Sequence, residues 1–130
     1  MVKLFIQNSM MTSISFQEFL NDYVNGNRIF DQLSIHTEDE MIKDLTIEDT
    51  IFSGCIFEVS FSEVIFKHCF FIECNMKNVI FSNSTFEHVR FQGCLVEELS
   101  IEDSTLDDFY FENNYAYGNE VNIDYIKKGN

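Results

Sequence analysis

No apolar run in the chain approaches the roughly eighteen residues that a helix needs to span a membrane. Basic residues are scarce. Eight Lys and Arg stand against 22 Asp and Glu, for a net charge of −14. That balance argues against direct binding to nucleic acid or to an anionic membrane surface, and suits a soluble chain or one with a basic partner. The cysteines form no Cys-x₂-Cys pair of the kind zinc sites use. A Gly-rich phosphate loop, a dinucleotide fingerprint and a nucleophile–base pair are all missing, so neither catalysis nor a cofactor is expected. The segment Met1 to Met11 holds only Lys3 and the short apolar run Leu4-Phe5-Ile6. That is not a signal-peptide pattern, and a cytoplasmic location is expected.

What the chain does have is a period of five. Ile47, Phe52, Phe57, Phe61, Phe66, Phe71, Met76, Phe81, Phe86, Phe91, Val96, Ile101, Leu106 and Phe111 are all large and apolar, with one residue missing between Phe57 and Phe61. Two positions before each centre runs a second, mostly small or β-branched series that includes Thr50, Cys55, Val64, Cys74, Ser84 and Cys94. On a helix each step of five advances about 140°, which scatters the centres over every face. On a flat strand an odd step alternates faces. The chain must therefore turn a corner once per repeat. Four such sides make a twenty-residue coil, and the sequence also repeats at twenty. Stacked coils pair through their backbones about 4.8 Å apart, and neither face of one coil can bury itself alone.

The columns follow from that period. Phe52, Phe71, Phe91 and Phe111 share one face; Ile47, Phe66, Phe86 and Leu106 the next. Ile42, Phe61, Phe81 and Ile101 form a third, and Phe57, Met76 and Val96 the fourth. Phe30 and Ile35 are earlier centres, after which His36 to Met41 interrupts the frame as an acidic surface loop. The residue missing before Phe61 is expected to tighten one corner without moving the columns.

In Val79-Ile80-Phe81-Ser82-Asn83 and Cys94-Leu95-Val96-Glu97-Glu98 the sequence resembles the pentapeptide-repeat family, whose motif is loosely A-(D/N)-L-x-x. The resemblance covers residues 28–111. It implies an all-β fold, a right-handed quadrilateral β-helix of about four coils with a short N-terminal capping α-helix. Phe is favoured at the centre here, and Cys or Val, seldom Ala, two before it.

The N-terminal segment, 1–27, carries the expected helix. Ser15 and Glu18 fit a capping box, Phe16, Phe19, Leu20, Tyr23 and Val24 share one face, and Gly26 supplies a stop. Its expected role is to cover the open first coil. The phrase Phe19 to Phe30 also resembles the helical lead-in of many members of the family. Val2 to Ile6 reads as an edge strand and the following polar residues as a loop. Residues 28–113 form the repeat region. In the tail, 114–130, Asn113 to Asn119 reads as a turn, Val121 to Ile126 as a short strand and Lys127 to Asn130 as a frayed end.

Four surface features are candidates for function. Outward apolar residues Ile51, Phe70, Ile72 and Tyr110, with Ile56 and Leu95 past the corner, mark a protein contact, a homodimer face or a surface covered by the tail. Glu97, Glu98, Glu102, Asp103, Asp107, Asp108 and Glu112 crowd the last full turn with no Lys or Arg between. His68 and His88 share an outward column flanked by Asp49 and Asp108, a pattern open to weak metal binding or titration near neutral pH. Cys55, Cys74 and Cys94 stack in one column beside Cys69, and buried free thiols packing as small apolar groups account for them. The expected function is a non-catalytic protein–protein interaction module with an unknown partner. The alternative comes from the resemblance: some pentapeptide-repeat proteins are acidic mimics of duplex DNA that bind type II topoisomerases such as DNA gyrase. About four coils give a stack of only about 20 Å, short against an extended duplex.

Overall fold

The computed structural model describes residues 11–129. The expected strand at Val2–Ile6 lies outside the described residues. The chain opens with β1 (Thr12–Ser15) and α1 (Phe16–Val24), then winds through β2 (Ile29–Asp31), β3 (Leu33–His36), β4 (Ile42–Glu48), β5 (Ile51–Ser53), β6 (Ile56–Glu58), β7 (Phe61–Lys67) and β8 (Phe70–Ile72). β9 (Ile80–Ser82), β10 (Thr85–Gln92), β11 (Ser100–Glu102) and β12 (Thr105–Glu112) complete the coils. β13 (Asn114–Ala116), β14 (Asn119–Val121), a 3₁₀ turn at Ile123–Tyr125 and β15 (Lys127–Gly129) close the top. The result is a quadrilateral β-helix of stacked parallel coils.

The five-residue period sets the register. Phe30, Phe52, Phe71, Phe91 and Phe111 lie in line on one face. Ile47, Phe66, Phe86 and Leu106 form the next, and Ile42, Phe61, Phe81 and Ile101 another. On the fourth, Ile35 pairs with Phe57, and bridges from Ile56 to Asn75, Leu95 and Tyr115 carry the line on through Met76 and Val96. Counting the coil of Phe30 and Ile35, the stack is about five turns tall. Up the columns several rings lie nearly parallel, as for Phe81 over Phe61 (5.2 Å, 8°) and Phe71 over Phe52 (4.9 Å, 18°), while Phe91 is tilted 47° on Phe71. Across the bore they meet edge to face, as for Phe66 and Phe81 (5.6 Å, 81°). Both arrangements suit the ring quadrupole.

The corners have their own chemistry. The residue two after a centre takes a left-handed conformation at Asp49, Gly54, Glu63, His68, Glu73, Asn78, Asn83, His88, Gly93, Glu98, Asp103, Asp108 and Asn113. Asn, Asp and Gly tolerate that region best, which explains the polar residues between the apolar ones. At Gly54 the left-handed backbone (φ +60°) is what favours glycine, since the nearest atoms an added Cβ would meet belong to the flexible end of the Gln32 side chain. The shortened step before Phe61 lacks the left-handed residue. Buried Val59 serves as both corner and inward residue there, and the columns keep their register.

Both ends differ from expectation in detail. Ser15 caps α1 with a reciprocal pair: its Oγ accepts from the Glu18 amide (3.1 Å) and its own amide donates to Glu18 Oε1 (2.8 Å). Phe19 packs 4.6 Å from Phe30 and 5.6 Å from Phe52, and so plugs the bottom of the bore. Val24, at the end of the helix, is 78% exposed and outside that contact. Thr12–Ser15, expected as loop, is a strand because Ile14 finds Ile35 across a parallel pairing that a local reading cannot see. Within the expected acidic loop, His36 stays in β3 and residues 37–41 leave the ladder.

The tail is not a turn followed by one strand. β13 and β14 form an antiparallel hairpin around Tyr117-Gly118, both with positive φ. Lys127–Gly129 is not frayed, since it pairs in parallel with Ser100–Glu102. Ile126 is buried, and Val121, Ile123 and Tyr125 pack on the core. Backbone pairing with the coil beneath, rather than local propensity, orders these residues.

Candidate interaction surface

A strand whose inward residues fill the bore presents its alternate residues to solvent, and stacking aligns them vertically. On the Phe-ladder face this builds the outward column Ile29, Ile51, Phe70, Arg90, Tyr110. Ile51, Phe70 and Tyr110 are each about two-fifths exposed. Ile29, the bottom rung, is more exposed still. Arg90 was absent from the apolar pattern because its charge hides the stacking role of its guanidinium. That group lies 4.8 Å from the Tyr110 ring centroid and 5.8 Å from that of Phe70, and bonds Glu112 Oε1 at 3.3 Å. Arg90 thus bridges two aromatic rungs that would otherwise be separated.

Ile72 stands in the neighbouring outward column, between Ser53 and Gln92, and is half-buried. Ile56 and Leu95 lie on the adjacent face, separated by Asn75. The tail does not cover Phe70 or Tyr110: β13 continues the adjacent face and β15 pairs with β11.

The acidic residues do not make a stripe. Glu102 and Asp103 follow β9's column, Asp107 and Asp108 lie on β12 above Glu87 and His88, and Glu112 closes the Phe-ladder face. Below Asp107 the same column reads Glu87, Lys67, Glu48, and Lys67 pairs with Glu87 at 3.9 Å. The acids therefore ring the top coil instead of running along the axis. Several are engaged. Glu97 Oε2 accepts from the Tyr117 amide and Glu98 Oε2 from the Tyr117 hydroxyl, both at 2.8 Å, so these two hold the hairpin. That amide holds the Glu97 carboxyl below the usual carboxylate range, and Glu98 pushes the Tyr117 phenol up.

His68 and His88 stack in parallel, centroids 4.9 Å apart, and His88 Nδ1 meets Asp108 Oδ2. With Phe70, Arg90 and Tyr110 they line a shallow depression of about 210 Å³. Among the described residues no group of three or more His, Cys, Asp or Glu is placed to hold a metal ion.

The four cysteines are free and buried. Each thiol donates to a carbonyl one coil below: Cys55 to Phe30, Cys69 to Ile47, Cys74 to Phe52 and Cys94 to Phe71. Burial pushes the Cys69 thiol up to about 12, and Cys74 is held neutral by the flanking Cys55 and Cys94 thiols and by burial. Asn114 continues the Cys55–Cys74–Cys94 line at the top, its Oδ1 accepting from the Cys94 amide (2.8 Å) and its Nδ2 donating to the Phe91 carbonyl (3.0 Å).

No helix among the described residues is long and apolar enough to cross a membrane. A family model described as a pentapeptide repeat region matches residues 45–120. No curated protein matches the chain.

Proposed function

Because the chain belongs to the pentapeptide-repeat family, we propose that it is a non-catalytic protein-interaction module whose contact is the outward column from Ile29 to Tyr110. One observation carries this reading. Four solvent-facing apolar or aromatic residues, Ile29, Ile51, Phe70 and Tyr110, and a stacked Arg90 stand in line on a face that neither the tail nor α1 covers. Aromatic rings and arginine are the residue types that anchor protein interfaces most often. The partner is unnamed, and a second copy of the chain is one occupant that the face admits.

The test is the double variant Phe70→Ser, Tyr110→Ser, with sedimentation and capture of host proteins as readouts. Weakened self-association or loss of a captured partner supports the column. Unchanged sedimentation and capture would remove it.

The alternative is an acidic mimic of duplex DNA acting on DNA gyrase. It draws on the acidic residues of the last turn, yet their arrangement as a ring around one coil is a poor copy of phosphates running along an axis. A supercoiling assay decides it: unchanged gyrase activity at micromolar protein discards the mimic.

A further inference from the structure

The top of the solenoid is finished on only two of its four sides. On one, β13 lies over the previous coil, the Val96 amide donates to the Tyr115 carbonyl at 2.9 Å, and Val96 is fully buried. On another, β15 pairs with β11, and Ile101 is buried at 2%. The remaining two sides end in β12, whose pairing partner is β10 below; among the described residues no strand lies on its outer edge. There the inward residues Leu106, Phe109 and Phe111 are only half-buried. One coil down, the same columns hold Phe86, Val89 and Phe91, all at 0% exposure. The difference is one missing strand.

The backbone tells the same story. In lower coils the corner amide donates one coil upward: His68 to Glu87, Glu73 to Gln92 and Gly93 to Glu112. In the last coil the equivalent positions are Asp108 and Asn113, and no acceptor stands above them among the described residues. An open edge of eight residues with free amides is a template for strand addition.

We propose that the outer edge of β12 receives a basic strand of another protein, bent once over the Asp108 corner, which adds the missing rung above Leu106, Phe109 and Phe111. Charge selects the occupant. Outward from this edge stand Asp107, Asp108 and Glu112; Asp108 meets His88 and Glu112 meets Arg90 of the coil below, and residues 97–112 hold no Lys or Arg. A strand with apolar residues inward and lysine or arginine outward matches both faces of the edge. The chain itself adds a strand to the neighbouring edge, pairing Lys127-Lys128-Gly129 in parallel with Ser100–Glu102. A second copy docked edge to edge would instead bring two sets of these carboxylates together, which like-charge repulsion opposes. The edge shares β12 with Tyr110, the top rung of the Phe70 column, but it is read through the backbone of that strand and through Asp107, which is not part of the column.

The test uses the full chain and a capped eight-residue peptide that alternates lysine with valine on either side of a glycine placed over the Asp108 corner. Controls are the same peptide N-methylated at alternate residues, which keeps its charge but cannot pair its backbone, and the variant Asp107→Lys. Anisotropy should show binding of the parent peptide, with hydrogen-exchange protection appearing at the Asp108 and Asn113 amides. N-methylation and Asp107→Lys should each weaken binding about tenfold or more. Equal binding of the N-methylated peptide would mean charge adsorption alone and overturn the proposal, as would no binding at millimolar peptide. Sedimentation of the free chain as a dimer with those amides already protected assigns the edge to a second copy, and overturns it too.

Discussion

The guanidinium of Arg90 lies 4.8 Å from the ring centroid of Tyr110, one coil above it in the same outward column. A cation on an aromatic face at an exposed site is worth roughly 0.5–1 kcal/mol. Replacing Arg90 by Ala should therefore lower stability by no more than about 1 kcal/mol by thermal melting. It should weaken partner capture as much as Phe70→Ser does, because it opens a gap between two aromatic rungs. Capture that survives Arg90→Ala while Phe70→Ser destroys it would show that the arginine takes no part in the contact.

Phe71 is fully buried, with rings 4.9 Å below at Phe52 and 4.8 Å above at Phe91. Phe71→Ala should cost about 3–5 kcal/mol, the range for removing a buried phenyl ring from a packed core. In a stack each coil supports only its neighbours, so the loss should unzip the coils on both sides. Denaturant unfolding of Phe71→Ala and of Phe111→Ala, the half-buried top rung of the same column, should give a clearly larger loss for Phe71.

Asn114 is fully buried and joins the Cys94 amide to the Phe91 carbonyl. Asn114→Ala removes the side-chain partner of the buried Cys94 amide and one bond to the Phe91 carbonyl, at a cost of about 1–3 kcal/mol. Asn114→Ser should recover part of the loss. On the opposite side of the tube Ser84 Oγ accepts the Val64 amide at 3.2 Å and Ser104 Oγ the Ser84 amide at 3.0 Å, so a hydroxyl serves the same purpose there. Equal melting temperatures for the Ala and Ser variants would refute this account.

The hairpin at Tyr117 should loosen in acid. The Tyr117 amide holds the Glu97 carboxyl below its ordinary value, so ionised Glu97 favours the closed hairpin. A depressed folded-state pKa gives stability that is present above the unfolded value, about 4.3, and lost as pH falls through the folded value. Hydrogen exchange at the Tyr117 amide, corrected for its intrinsic pH dependence, should accelerate below about pH 4. Glu97→Gln should remove that dependence, and a protection factor flat down to pH 3 would contradict it.

Much of the solenoid was legible because its signal is local and repeated. A centre every five residues fixes which side chains face inward, and Phe52, Phe71, Phe91 and Phe111 line up once the period is known. The skipped residue before Phe61 did no harm, since Val59 took two roles at one corner. The capping box at Ser15 was equally local. The candidate surface was only partly legible. Phe70 and Tyr110 were found as apolar residues at outward positions, whereas Arg90 looked like ordinary surface charge. Ile72 sits one column away among polar neighbours.

The period by itself determined the square tube and its aromatic bore, because an odd recurrence of large apolar residues can be buried no other way. Tertiary structure alone decided the ends and the outer surface. Thr12–Ser15 and Lys127–Gly129 are strands only because a coil edge offers them backbone partners. The acidic residues form a ring, and Arg90 joins two aromatic rings, only because of which coil lies above which. Those relations link residues about twenty positions apart through space, and no short stretch of chain encodes them.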